Sequence, residues 1–135
     1  MLSSCEVITF VATAKPTEAR RFYQEVLGLR LVADESFALV FDAHGVMLRV
    51  SRVHELTPAS YTVLGWRVAD ISAAVRELEA RGVALERYEG LDQDDVGIWA
   101  SPGGAKVAWF KDPDGNTLSL TQFQSGKPGR KPSGS

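Results

Sequence analysis

Apolar and polar positions follow the same order twice along the chain, about 55 residues apart. In the first half, the apolar run from Val7 to Val11 predicts a strand. Ala19, Phe22, Tyr23, Val26 and Leu27 then recur at i, i+3, i+4, i+7 and i+8, which is one face of a helix. Thr17, just after Pro16, is placed to cap that helix, and Gly28 to end it in the left-handed conformation. Leu29 to Val32, Phe37 to Asp42 and Val46 to Arg52 predict three strands, the last two joined at Ala43-His44-Gly45. Val53 to Ser60, with Pro58, reads as a linker.

The second half repeats the plan. Tyr61 to Val68 predicts a strand, and Ile71, Val75 and Leu78 a helix capped by Asp70 or Ser72 and ended by Gly82. Val83 to Tyr88 reads as a strand, followed by an acidic loop from Glu89 to Asp95. Ile98 to Ala100 and Lys106 to Phe110 flank a turn at Pro102-Gly103-Gly104. Asp112-Pro113-Asp114-Gly115-Asn116 is a strong turn sequence, and Thr117 to Phe123 closes the pattern as a strand. The expectation is an α+β domain over residues 1–125. It consists of two tandem β-α-β-β-β modules (5–54 and 61–123) whose sheets meet at a cleft.

Composition narrows the partners. A net charge of -2 with scattered lysines and arginines argues against nucleic acid. No apolar run approaches the roughly 20 residues of a membrane span, and the N-terminus does not read as a signal peptide. The single cysteine, Cys5, forms no internal disulfide, which fits a reducing cytoplasm; at the start of the first strand it reads as a small buried hydrophobe. The basic, Gly/Pro/Ser-rich tail from Gly126 to Ser135 reads as disordered.

Two motifs carry a family resemblance. Phe22-Tyr23-Gln24-Glu25-Val26-Leu27-Gly28-Leu29 resembles the FYxxvLGl signature of the vicinal oxygen chelate superfamily, which includes glyoxalase I, extradiol dioxygenases and fosfomycin- and bleomycin-resistance proteins. Phe110-Lys111-Asp112-Pro113-Asp114-Gly115-Asn116 resembles its FxDPdGN signature, and the likeness extends from Glu6 to Phe123. The resemblance implies a glyoxalase/bleomycin-resistance-like fold. In metal-dependent members it also implies four strand positions, typically two histidines and two glutamates. Those positions here hold Ile8, Arg49, Val63 and Ser119. Neither Ile nor Val has a lone pair to donate, an arginine cation repels a divalent metal, and a serine hydroxyl alone is a poor ligand. Both histidines, His44 and His54, fall in connecting segments.

The expected function is therefore metal-independent binding of a small molecule by a cofactor-free homodimer. That resembles bleomycin-resistance proteins that sequester a drug or metabolite. The alternative is a glyoxalase-like, metal-dependent lyase or isomerase with relocated ligands, which requires His44 or His54 to turn into the cleft. A third reading is a module that serves through dimer or partner contacts, its cleft filled by its own side chains.

Residues two apart on a strand share a face, so Ile8, Phe10, Met47, Arg49, Val63, Gly65, Arg67, Ser119 and Thr121 are expected to line the cleft. This is an apolar surface with a few polar groups, a profile suited to small molecules. Arg49 needs an anionic partner, either an internal carboxylate or one on the ligand. Glu89, Asp92, Asp94 and Asp95 either attract a cationic ligand or form a solvated loop. Trp66 alternates with Leu64 and Val68 onto the helix side, whereas Trp99 is a candidate to stack on a planar ligand. Trp109 and Phe110 occupy opposite faces of one strand, so one is core and the other lines the pocket. Tyr23 reads as a packing residue. No nucleophile elbow, P-loop or activated cysteine is present.

Overall fold

The first apolar run forms β1 (Ile8–Thr13) in the computed structural model, which describes residues 1–124. The tail from Gly126 to Ser135 lies outside those residues. After a 3-10 turn at Leu2–Ser4, the order is β1, α1 (Pro16–Arg21), β2 (Arg30–Asp34), β3 (Ala38–Ala43), β4 (Val46–Arg52) and β5 (Thr62–Arg67). It continues with α2 (Ile71–Ala80), β6 (Trp99–Ala100), β7 (Lys106–Lys111) and β8 (Thr117–Gln122). These build two four-stranded sheets, ordered β1-β4-β3-β2 and β5-β8-β7-β6, so the fold is α+β. In each sheet the edge strand (β1 or β5) runs parallel to its neighbour and the next pair is antiparallel.

The chain divides into two compact units, Met1–Ser60 with Asp112–Asn116, and Tyr61–Lys111 with the residues from Thr117. The Asp-Pro-Asp-Gly-Asn turn thus belongs to the first unit. Thr13 donates its hydroxyl to Asp114 at 2.5 Å, the Ala14 N–H donates to the other Asp114 oxygen, and the Asn116 amide donates to the Ala12 carbonyl.

In the first sheet, Val11, Leu39, Phe41, Leu48 and Val50 share one face and are buried; Tyr23 meets Phe41 there, 5.9 Å between ring centres. In the second, Ala108, Phe110, Leu118 and Leu120 form the buried face, and α2 buries Ile71, Val75 and Leu78. Asp70 caps α2, accepting the Ala73 N–H at 3.1 Å.

Four expectations need correction. Thr17 does not cap α1. Pro16 occupies the first turn, where its fixed φ suits the helix and its missing N–H costs nothing, so Lys15 is the cap. The first helix is not regular to its end: Phe22–Val26 widen into a π-helical turn in which the Leu27 N–H reaches the Phe22 carbonyl at 2.9 Å. Gly28, at φ 76°, then closes it, with the Leu29 N–H bonded to the Tyr23 carbonyl. Val83–Tyr88 is not a strand, making one bridge from Leu85 to Phe110. The Gln93 side chain takes its backbone partners instead, accepting from the Tyr88 N–H and donating to the Glu86 carbonyl. Cys5 is exposed and precedes β1 rather than sitting buried within it.

Candidate functional site

Strand register sorts the side chains of each unit. On the first sheet, Ile8 pairs with Met47, and Phe10 with Arg49, on the face opposite Phe41 and Leu48. That face is open: Ile8, Phe10 and Met47 are 47%, 60% and 41% exposed. Beside it lies a cavity of about 280 Å³ lined by Val7, Ile8, Val32, Met47, Arg30 and Asp42, among others. Arg49 meets a carboxylate of its own unit, Nη2 lying 3.6 Å from Oε1 of Glu35.

On the second sheet, the face away from α2 carries two cross-strand rows: Gly65, Ser119 and Trp109, then Arg67, Thr121, Val107 and Trp99. The choice between Trp109 and Phe110 is thereby resolved. Phe110 is fully buried and stacks on Trp66, 6.4 Å between centres, while Trp109 shares the helix-free face with Ser119. Trp109 is the centre of an aromatic group, with Trp99 tilted against it at 6.1 Å and Tyr88 edge-on at 5.4 Å. Val63 sits in a β-bulge between Thr62 and Leu64 and is 37% exposed. The Arg67 guanidinium lies 4.8 Å from the centre of the Phe123 ring, a cation–π contact.

Polar groups complete this face. Ser119 is 7% exposed as a residue, and its hydroxyl, which no described residue hydrogen-bonds, faces solvent. Burial, and secondarily the charge of Glu86, raise the Tyr88 hydroxyl above the ordinary tyrosine range; the Thr117 hydroxyl opposes that shift. Tyr88 therefore stays neutral at physiological pH and presents an uncharged ring.

Within the acidic loop, Asp94 is committed to the loop's own fold, while Glu89, Asp92 and Asp95 are exposed. One oxygen of Asp94 accepts from the Val96 and Ile98 N–H groups, and Arg87 donates to the Gln93 and Asp94 carbonyls. The adjoining hollow of about 330 Å³ is lined by Asp92 and Asp94 but also Lys106, whose charge offsets theirs.

The positions at which metal-dependent members hold ligands do not suit a divalent ion. Ile8 and Arg49 occupy β1 and β4 of one unit, Val63 and Ser119 β5 and β8 of the other, and they offer one hydroxyl as donor. Among the described residues, no group of three or more His, Cys, Asp or Glu is arranged to hold a metal. His44 lies in the β3–β4 turn at φ 52°, and both it and His54 are exposed.

Sequence reasoning missed Glu35 as the partner of Arg49, Tyr88 as part of the aromatic group and Phe123 as the ring beneath Arg67. Tyr88 was assigned to a strand, and neither of the others belongs to a motif. The hydroxyl of Tyr23, read as packing alone, donates to Asp112 at 2.7 Å. Burial, and then the adjacent Asp112, push that hydroxyl far above the ordinary tyrosine range.

Tandem units, each with a four-stranded sheet whose edge strand runs parallel to its neighbour, define a protein of the glyoxalase and bleomycin-resistance class. The chain belongs to the Glyoxalase/Bleomycin resistance protein/Dioxygenase superfamily, whose profile matches residues 7–120. No curated protein matches it in sequence. Among solved structures, it is similar to TnmS3, an antibiotic binding protein from Streptomyces sp. CB03234. Identity is 26%, with 92% of this chain and 99% of that one covered and a TM-score of 0.66. A superfamily member from Sphaerobacter thermophilus DSM 20745 is 21% identical, covering 91% and 100%, with a TM-score of 0.71. Lactoylglutathione lyase from Agrobacterium tumefaciens is 17% identical, covering 88% and 93%, with a TM-score of 0.68. Among the described residues, no helix is long and apolar enough to cross a membrane.

Proposed function

We propose that this protein binds a small organic molecule without a metal ion, sequestering a drug or metabolite rather than transforming it. The observation that carries the reading is the second sheet's helix-free face. An aromatic group built on Trp109 and Trp99 lies beside the Ser119 hydroxyl, at a position that holds a metal ligand in metal-dependent members. Such a face binds by apolar and stacking contacts, with a few hydroxyls to orient the ligand. Arg67 and Thr121 add polar groups on the second sheet, and the first sheet presents an apolar face of its own at Ile8, Phe10 and Met47. Arg49, paired with Glu35, contributes shape rather than a free charge.

The similarity to an antibiotic binding protein at 26% identity supports the same reading. We also read the protein as a cytoplasmic homodimer. The lone cysteine supports that compartment, and the exposed Val7 and Phe37 support a second copy as partner. A thermal-shift screen of protein stripped with EDTA and then freed of the chelator tests the function. Planar aromatic compounds should raise the melting temperature through mass action, and Zn²⁺, Ni²⁺ or Mn²⁺ alone should not. Stabilisation by metals but by none of the organic compounds overturns the reading.

A further inference from the structure

We infer that the ligand of the second sheet is a planar aromatic carrying an oxygen at one edge, and that Gly65 is the position that selects it. The inference rests on the small-molecule reading above and names the ligand class.

Gly65, Ser119 and Trp109 stand side by side on three adjacent strands, so neighbouring positions are about 5 Å apart. That is close to the width of one aromatic ring. A ring held against Trp109 and Trp99 therefore brings its substituents over Ser119. Ser119 is 7% exposed as a residue, and no described residue hydrogen-bonds its hydroxyl, which is left to solvent. A ligand group that replaces the solvent there can make that hydrogen bond directly. A hydroxyl both donates and accepts, so it serves a ring carbonyl as well as a phenol.

Gly65 keeps that hydroxyl accessible. Its φ is not in the left-handed region, so the backbone there suits any residue and does not itself require glycine. Space does require it. A Cβ at Gly65 would stand 2.7 Å from the Ser119 Oγ and 3.3 Å from its carbonyl oxygen, so the hydroxyl would have to swing away. The missing side chain leaves a notch beside the hydroxyl, with Arg67 and Thr121 in the next row.

The test compares two probes of one shape, 2-naphthol and 2-methylnaphthalene, by calorimetry and by the indole N–H resonances of the tryptophans. Both probes should shift Trp109 and Trp99 and leave Trp66 unmoved. In Ser119→Ala, the preference for 2-naphthol over 2-methylnaphthalene should fall by roughly three- to ten-fold, the usual worth of one neutral hydrogen bond. Gly65→Ala should reduce the preference similarly. Should Gly65→Ala fail to fold, Gly65→Ala/Ser119→Ala removes the 2.7 Å contact and should match Ser119→Ala alone.

A preference unchanged in Ser119→Ala, with both probes bound at Trp109, overturns the inference and leaves the small-molecule reading standing. Failure of both naphthalenes while other panel compounds bind also overturns it. If no organic compound binds at all, the underlying reading falls with it.

Discussion

The Tyr23 hydroxyl donates a 2.7 Å hydrogen bond to Oδ2 of Asp112, 89 residues further along the chain, so the two signature motifs meet in one buried pair. Asp112 is the hub of that junction. Its Oδ1 accepts the N–H groups of Asp114 and Asn116, and its Oδ2 also accepts the Asn116 side-chain amide. The Asp-Pro-Asp-Gly-Asn segment is thus both a turn and the structure that fixes the π-helical end of the first helix. Asp112 is 6% exposed and Tyr23 fully buried, so loss of the carboxylate strands the Tyr23 hydroxyl away from water.

Tyr23→Phe should destabilise the protein by about 1–2 kcal/mol in urea denaturation, because Asp112 keeps its three other donors. Asp112→Ala should cost more, roughly 3 kcal/mol or above, since it strands the Tyr23 hydroxyl and unties the turn. Equal costs would show that the carboxylate does not organise the junction.

The same pair predicts an alkaline dependence. Burial, followed by the Asp112 charge, raises the folded-state pKa of Tyr23 above its unfolded value of about 10. Its contribution is therefore fully present below about pH 10 and is lost as pH rises beyond that. The loss is roughly 1.4 kcal/mol per pH unit while the folded protein keeps the proton and the unfolded chain does not. Denaturation curves between pH 9 and 11.5 should show Tyr23→Phe declining less steeply than wild type. Parallel slopes would assign the alkaline loss to other groups.

Trp109 and Phe110 are adjacent in sequence and opposed in role. Phe110→Ala opens the buried face against Trp66 and should cost about 3–5 kcal/mol of stability. Trp109→Ala should be milder for the fold, yet weaken aromatic ligands by about ten-fold, since it removes the centre of the Tyr88–Trp109–Trp99 group. Denaturation and ligand calorimetry on both variants check the assignment. The reverse pattern would put Phe110 on the ligand face.

Arg49→Ala should change stability by less than about 1 kcal/mol, because its ion pair with Glu35 is 3.6 Å long and half-exposed. Affinities for anionic and cationic aromatics should stay within about two-fold of wild type, a range that corresponds to a few tenths of a kcal/mol. A marked loss for anionic ligands alone would return Arg49 to the role of ligand counter-ion.

Particular residues explain what was legible beforehand. The apolar stripe from Ala19 to Leu27, Gly28, the Asp70 cap and the Asp-Pro-Asp-Gly-Asn turn are local signals, each set by residues within a few helical turns or one bend. Val83–Tyr88 was misread because its apolar residues follow directly on the Gly82 helix stop, but a glutamine later in the loop takes the backbone groups a ladder would have used. Strict alternation separates Trp109 from Phe110 without saying which side is core; only the register against Ser119 and the stack on Trp66 decide that. Glu35, Tyr88 and Phe123 reach their places through loops and strand ends, where no period operates.

Calorimetry of an aromatic ligand identified by the thermal-shift screen is the most direct test of the central claim. It would be run on protein stripped with EDTA and again after addition of Zn²⁺, Ni²⁺ or Mn²⁺. The account predicts the same affinity, within about two-fold, in every case, a difference of only a few tenths of a kcal/mol, and a common loss in Trp109→Ala. Binding that appears only when a metal is restored, and survives the loss of Trp109, would contradict it.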